Sequence, residues 1–203
     1  MSYRTIKRVF DIAFSGAVIA VGLVPGVLLG AAVAIDTKGS PIFVQERIGH
    51  KGPFPCLKYR TMYAWATEEE HLTPEQLEHW IRERKVPNDP RITRLGRFLR
   101  STSIDEFPQF INVLLGQMSV VGPRAVIAEE LEKYFTEEQR KLYLSVPSGI
   151  TGVWQVGPRN AATWTSGERV AIELDYVKNA SLRLDAEVIA KTFGEILFRR
   201  SGL

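Results

Sequence analysis

The 203-residue chain carries one cysteine, Cys56, which excludes an internal disulfide and fits a reducing compartment. Its three histidines, His50, His71 and His79, form no H-x-x-H or H-x-x-x-H pair, so the spacing of a zinc site is missing. Neither G-x-G-x-x-G nor a Walker sequence occurs, which removes both standard glycine cradles for a nucleotide. There is no internal repeat or low-complexity tract, and no β-α-β alternation in the pattern. The net charge of +3 is a mild basic excess that suits acidic lipid, a nucleotide or nucleic acid.

What the chain does have is a long uncharged run, "IAFSGAVIAVGLVPGVLLGAAVAI", from Ile12 to Ile35. As a helix it reaches roughly 36 Å, enough to cross a bilayer core. A cleaved signal peptide fits poorly, because the run is long for one and Asp11 interrupts the pattern. Cations flank the run on both sides, with Arg4, Lys7 and Arg8 before it and Lys38, Arg47, Lys51, Lys58 and Arg60 after it. Such symmetry gives a spanning helix no preferred orientation and suits one with both ends on one face. Pro25 lies mid-run among Gly22, Gly26 and Gly30, so the expectation is a helix broken at Pro25 that re-enters its own side. The glycines equally suit a small-residue packing face and permit a homodimer. The expected division is a membrane-embedded segment, 1–36, and a soluble domain, 37–203.

Within 37–203, "PIFVQERIG" and "KGPFPCLKYRTM" read as two short strands around Gly49 and Gly52. "TEEEHLTPEQLEHWIRERK" reads as a solvated surface helix. In "DPRITRLGRFLRSTS", Arg91, Arg94, Arg97 and Arg100 recur every third residue, with Ile92, Leu95, Phe98 and Leu99 on another face. That is the pattern of a basic amphipathic helix lying in a membrane interface. "EELEKYFTEEQRKLYLSV" reads as a further amphipathic helix, and "ELDYVKNASLRLDAEVIAKTFGEILF" has helical periodicity. "PSGITGVWQVGPRN" is turn-rich and offers Trp154 and Arg159 for a base or sugar contact. The fold class expected is mainly α with short β segments, a monotopic membrane protein with interfacial helices.

The stretch "STSIDEFPQF" sets Asp105 beside Glu106. Ser103-x-x-Glu106 has the form of a capping box, but Pro108 would then fall inside the helix, so a start nearer Asp105 is expected. The following helix should cover Phe110–Leu115 and stop at Gly116. Arg100 brings a cation to the carboxylates, and Gly122-Pro-Arg124 presents a second guanidinium from a tight turn. These residues read either as an anion-handling active site or as a membrane-anchored module for acidic lipid or nucleic acid built on the arginines.

Taken in order, Lys7-Arg8-x-x-Asp11, "QERIG", "LKYRTM", "DPRITRLGRFLRSTSIDEFPQFINVLLGQMSVVGPR", "PSGITGVWQV" and "LDYVKNASLRLD" resemble the bacterial sugar transferase family over nearly the whole chain. The resemblance implies transfer of a sugar-1-phosphate from a UDP-sugar to polyprenyl phosphate, with release of UMP. It implies a site at the cytoplasmic face of a bacterial inner membrane, among membrane lipids and without nucleic acid. Asp105 would be the nucleophile and Glu106 its partner, either positioning Mg²⁺ or handling protons, with the Asp105–Glu106 pair as the Mg²⁺ site. Lys58, Arg100 and Arg124 would bind phosphate. Arg159 and Asn160 would contact uridine or sugar, although Pro158 stands where the family has glycine. Val24 precedes Pro25 where small members commonly carry serine.

Overall fold

The computed structural model describes residues 2–66, 72–83, 86, 88–157 and 162–195. It opens with one long helix, α1 (Tyr3–Thr37), capped by the Ser2 side chain and closed by Lys38 in the left-handed conformation. The helix passes through Pro25 without interruption, so the break expected there is not formed. Proline deletes one backbone donor, which a helix survives when packing holds the turns on either side. Here the packing falls on the glycines: the Phe107 ring lies against Gly22 and Gly26, and the Tyr59 hydroxyl donates to the Gly26 carbonyl at 2.8 Å. The glycine face read as a dimer surface is filled, at Gly22 and Gly26, by the chain's own phenylalanine.

Most of α1's apolar surface stays open, and it is the helix, among the described residues, long and apolar enough to cross a membrane. Val21 is 83 % and Leu28 67 % exposed. Both helix ends, in contrast, are buried on the same body. At the start, Lys7 donates to Asp185 at 2.7 Å, Arg8 to the carbonyls of Val113 and Leu114, and Asp11 accepts from the Ser119 hydroxyl and the Val120 N–H. At the finish, Val33 packs with Tyr59 and Leu99, and the Thr37 carbonyl accepts from the Ala64 N–H.

The hairpin of β1 (Ile42–Gly49) and β2 (Gly52–Tyr59) is antiparallel, with Gly49 opposite Gly52 across a two-residue turn. Gly52 has φ +103°, which explains its glycine. The surface helix α2 (Pro74–Glu83) begins at a reciprocal Thr73–Gln76 cap. Next comes α3 (Arg94–Thr102), with Thr93 capping Gly96 N–H at 2.8 Å. Arg91 therefore lies outside the helix. It is 2 % exposed and forms a two-pronged ion pair with Asp89, so the arginine stripe is divided between structure and surface. Arg94 and Arg97 remain exposed beside Phe98.

After α4 (Gln109–Leu114), Gly116 takes φ +73° and ends the helix as expected. β3 (Met118–Val121) and β4 (Ser148–Thr151) pair in parallel, crossing over through α5 (Ala128–Tyr134) and α6 (Glu137–Tyr143). The sequence showed no such alternation, because β3 is four residues long and buried at each, leaving no period to read. The single helix expected over this crossover is split at Phe135–Thr136, where Thr136 and Gln139 form a new capping box. The C-terminal periodic segment is likewise two helices, α7 (Glu168–Asn179) and α8 (Leu182–Gly194), the second capped by Ser181. The main core joins Phe54, Val113, Met118, Val120, Tyr176 and Val188.

Asp185 is the hub of α1's attachment, accepting from Lys7, Tyr3 and Tyr176. Replacing it with alanine removes the ion-pair partner of the buried Lys7 ammonium, at a cost of about 3–5 kcal/mol. Chemical denaturation of the purified chain in detergent should show this loss, with α1 released before the core unfolds.

Candidate active site

The carboxylate pair is displayed by a break between two helices. α3 ends where Ser103 turns left-handed (φ 57°), its N–H reaching the carbonyls of Leu99 and Arg100. Ser103 therefore closes the preceding helix and caps nothing after it, so the capping box is not made. A single 3₁₀ turn, Ile104–Glu106, follows, and Pro108 (φ −61°) precedes α4, where its absent N–H costs nothing. The acids lie in this connecting turn rather than in the first turn of a helix. Asn112, fully buried, locks the turn's support to the hairpin. Its amide accepts from Leu57 N–H and donates to the Pro55 carbonyl and Gln117 Oε1.

β2 then delivers Lys58, whose ammonium meets Glu106 Oε1 at 2.7 Å. Just past β2, the Thr61 hydroxyl accepts from Arg100 Nε at 2.8 Å and orients that guanidinium. α3 comes this close only because residue 96 is glycine: a Cβ there would collide with the Thr61 carbonyl. Glu106 is thus engaged in an ion pair, whereas Asp105 forms no salt bridge among the described residues. Burial, and then the neighbouring Glu106 charge, push the Asp105 carboxyl up to about 6, against the pull of Lys58 and Arg100.

The cleft beside this turn is lined by Lys58, Glu106, Gln109, Arg124, Arg47 and Gln155. Arg124 is set by interlocked backbones: its carbonyl accepts from the Tyr143 hydroxyl at 2.6 Å, and the Gly149 N–H donates to the Pro123 carbonyl. A Cβ at Gly122 would meet the Pro147 carbonyl at 2.5 Å, so that loop tolerates only glycine. Beneath it lie Glu173, fully buried and accepting from Arg124 N–H, and Arg169, held 3.6 Å from the Trp154 ring centre and 3.8 Å from that of Trp164. Trp154 is 4 % exposed, with its indole N–H committed to the Ala162 carbonyl. It is a slab under the arginines and not the exposed base or sugar platform expected. Cys56 is buried too, and burial pushes its thiol up, so it stays protonated.

The structure brings Lys58, Arg100, Asp105, Glu106 and Arg124 around one region. Arg159 and Asn160 lie outside the described residues. Sequence reasoning missed Arg47, Thr61 and Gln155 as site residues. The first two sit in the "QERIG" and "LKYRTM" motifs, which gave a signal without a role. Among the described residues no three His, Cys, Asp or Glu side chains cluster in a way that could hold a metal, so the chain itself offers at most the Asp105–Glu106 pair.

The acid pair, with Lys58, Arg100 and Arg124 around it, is suited by charge to phosphate and lies beside the middle of the apolar helix α1, where Phe107 packs on Gly22 and Gly26. A family model for bacterial sugar transferases matches residues 2–199, and the chain belongs to that family. It is 41 % identical over 203 residues to the UDP-galactose-lipid carrier transferase of Erwinia amylovora, covering 98 % of this chain and 42 % of that protein. It is 39 % identical to the undecaprenyl-phosphate galactose phosphotransferase of Salmonella typhimurium, over 99 % of this chain and 42 % of that one. It is also 39 % identical to the exopolysaccharide production protein ExoY of Rhizobium meliloti, covering 96 % of this chain and 86 % of that protein. The chain therefore spans about two fifths of the longer relatives and most of the shorter one.

The displaced Asp105 titration has a consequence for stability. Its usual value is 3.8 and its folded value about 6, so above pH 6 the folded state holds a charge that burial disfavours, while below pH 4 both states are protonated and the difference vanishes. Asp105 therefore costs the fold up to about 3 kcal/mol at neutral pH. The Asp105→Asn variant should melt at a higher temperature than the wild type at pH 7.5, with the gain disappearing as the pH falls from 6 to 4. Thermal melts across that range check it.

Proposed function

We propose that this chain transfers a sugar-1-phosphate from a UDP-sugar to a polyprenyl phosphate, releasing UMP, through a covalent adduct on Asp105. The observation that carries this is the unequal state of the two acids. Glu106 is neutralised by Lys58 at 2.7 Å, while Asp105 is partly desolvated, more basic than a free carboxylate and not ion-paired among the described residues. That is the condition of a nucleophile, and a two-step route avoids direct attack of one phosphate on another. An Asp105 oxygen attacks the sugar-linked phosphorus, and the bond to UMP breaks with its electron pair leaving on UMP. An oxygen of the polyprenyl phosphate then attacks the same phosphorus, the bond to Asp105 breaks, and the carboxylate returns.

The cations have separable parts. Arg100, oriented by Thr61, and Lys58, across Glu106, face the side where the transferred phosphoryl group would sit. Arg124 and Arg47 line the cleft beside it, where a diphosphate fits by charge. The oxygen-only Asp105–Glu106 pair suits Mg²⁺, which is commonly bound through one or two carboxylates together with substrate phosphates, and the raised Asp105 pKa marks a site that gains from added positive charge. When bound there, the ion would supply neutralisation of charge on the phosphoryl oxygens.

Two of the relatives named above are a UDP-galactose-lipid carrier transferase and an undecaprenyl-phosphate galactose phosphotransferase, which supports placing the acceptor in the membrane. We read the chain as monotopic. Both ends of α1 are buried on one polar body, which a helix crossing the bilayer could not achieve. An exposed apolar collar of Phe98, Ile104, Ile111 and Leu115 adjoins it. An unbroken helix lying in one leaflet meets the requirement that the expected break at Pro25 was meant to meet.

Asp105→Asn should lower UMP release by at least about 10³-fold while membrane association persists. Incubating wild type with a panel of UDP-sugars in the absence of acceptor should trap a phospho-sugar on Asp105, visible by intact-mass spectrometry. Lack of an adduct with any donor would remove the covalent route.

Because the attacking carboxylate must be ionised, kcat/KM should fall below about pH 6, the acid limb reporting the coupled pair. Lys58 holds Asp105 down, so Lys58→Met should move that limb to higher pH. A pH–rate profile of the two proteins checks the direction.

A further inference from the structure

A second concentration of positive charge lies at the other end of the hairpin. The first turns of α1, the β1–β2 turn and residues 145–147 enclose a cleft of about 220 Å³, lined by Arg4, Lys7, Arg8, His50, Lys51 and Ser145 among others. Lys51 and Lys58 are seven strand residues apart, so this cleft is on the order of 20 Å from the Asp105 site.

Its charges do not cancel. Lys7 is neutralised by Asp185, and Asp11, the one acid in the lining among the described residues, is held by Ser119 and Val120, so the lining keeps a positive excess with Arg4, Arg8 and Lys51 against a single carboxylate. Arg8 is fixed by two neutral carbonyls, which orient its guanidinium, and its charge is offset only in part by Asp11, which it shares with Lys7. Arg8 Nη2 and Lys51 Nζ converge over Gly116: one point beside its Cα is 3.4 Å from the first and 3.3 Å from the second. Arg4 is exposed at the rim, with no acidic partner among the described residues. His50 Nδ1 is buried without a hydrogen-bond partner, and burial with the Lys51 and Arg8 charges pushes the imidazole's pKa down. Like charges held this close to one another call for an anion.

The position selects its source. Ile6, Val9 and Phe10, on the same turns of α1, are exposed, so the cleft opens where the helix's apolar surface begins. We propose that this cleft binds the phosphate headgroup of an anionic membrane lipid between Arg4, Arg8 and Lys51, with His50 and Ser145 as further hydrogen-bonding groups. The site is separate from both substrates of the transfer reaction, and it rests on the reading of α1 as embedded in a membrane. A lipid there ties the start of α1 and the hairpin turn to the bilayer surface, holding the body at a fixed depth.

The test uses the full chain in phosphatidylcholine nanodiscs containing a minor fraction of phosphatidylglycerol. Native mass spectrometry after detergent release counts retained lipid, and UMP release is followed in parallel. Wild type should retain phosphatidylglycerol over phosphatidylcholine. Arg4→Glu/Lys51→Glu should lose it by at least about tenfold, at roughly fivefold for each cation. Arg97→Glu, an exposed reversal elsewhere, should retain it. Equal retention by the double variant, or equal loss in Arg97→Glu, overturns the site. Inorganic phosphate binding to the solubilised wild type, without any retained phosphatidylglycerol, would overturn the lipid assignment in favour of a soluble anion. Arg4→Ala and Lys51→Ala, each expected to lose about fivefold, give the same reading should the double reversal not fold. Because UMP release is read separately, loss of lipid with turnover intact distinguishes this site from the transfer site.

Discussion

The structure depends on burying charge at the mouth of an apolar helix. Lys7, Arg8 and Asp11 stand at the start of α1, where a membrane segment would ordinarily shed charge into water. Each is instead committed to a different part of the body: Asp185 on α8, the last carbonyls of α4, and the start of β3. Stripping water from such groups is costly, and only complete pairing makes it tolerable. The body is therefore fastened to α1 in one orientation. That orientation puts the turn bearing Asp105 beside the helix's apolar surface, where Phe107 packs on Gly22 and Gly26.

The site repeats the same physics with the opposite outcome. Burial of Lys7 and Asp185 is compensated within the pair, whereas burial of Asp105 is left partly uncompensated, since Lys58 is spent on Glu106. A carboxylate held in this way has a raised pKa and a disfavoured ground state. Stability is given up at the carboxylate to which the proposed covalent step is assigned. Behind it, Arg169 lies against the rings of Trp154 and Trp164, and buried Glu173 accepts from the Arg124 N–H. Burial pushes Glu173 up to about 7 and Arg169 down to about 10, so these groups also sit near the limit of tolerable charge burial.

Sequence reasoning reached the site through residue type and spacing. Adjacent acids, a lysine in a preceding strand and arginines at 100 and 124 are legible because phosphate chemistry needs those groups whatever the fold. The hairpin was legible from its glycines and the helix stop from Gly116, since positive φ is written in residue identity. The parallel β3–β4 pair was not, because its strands are too short and too uniformly buried to carry a period. Trp154 looked like a ligand platform for want of knowing that Arg169 and Arg124 lie over it.

The sequence by itself determined the family and the inventory: a 24-residue uncharged run, an acid pair and a family's worth of motifs. Only the tertiary structure decided how they are arranged. Ser103 closes a helix instead of opening one, because the Leu99 and Arg100 carbonyls claim its N–H. α1 continues through Pro25, because Phe107 and Tyr59 pack on the turns around it. Glu106 rather than Asp105 is taken by Lys58, because β2 brings the ammonium to that side. These outcomes are contests between partners distant in sequence, and local pattern carries no information about which partner arrives.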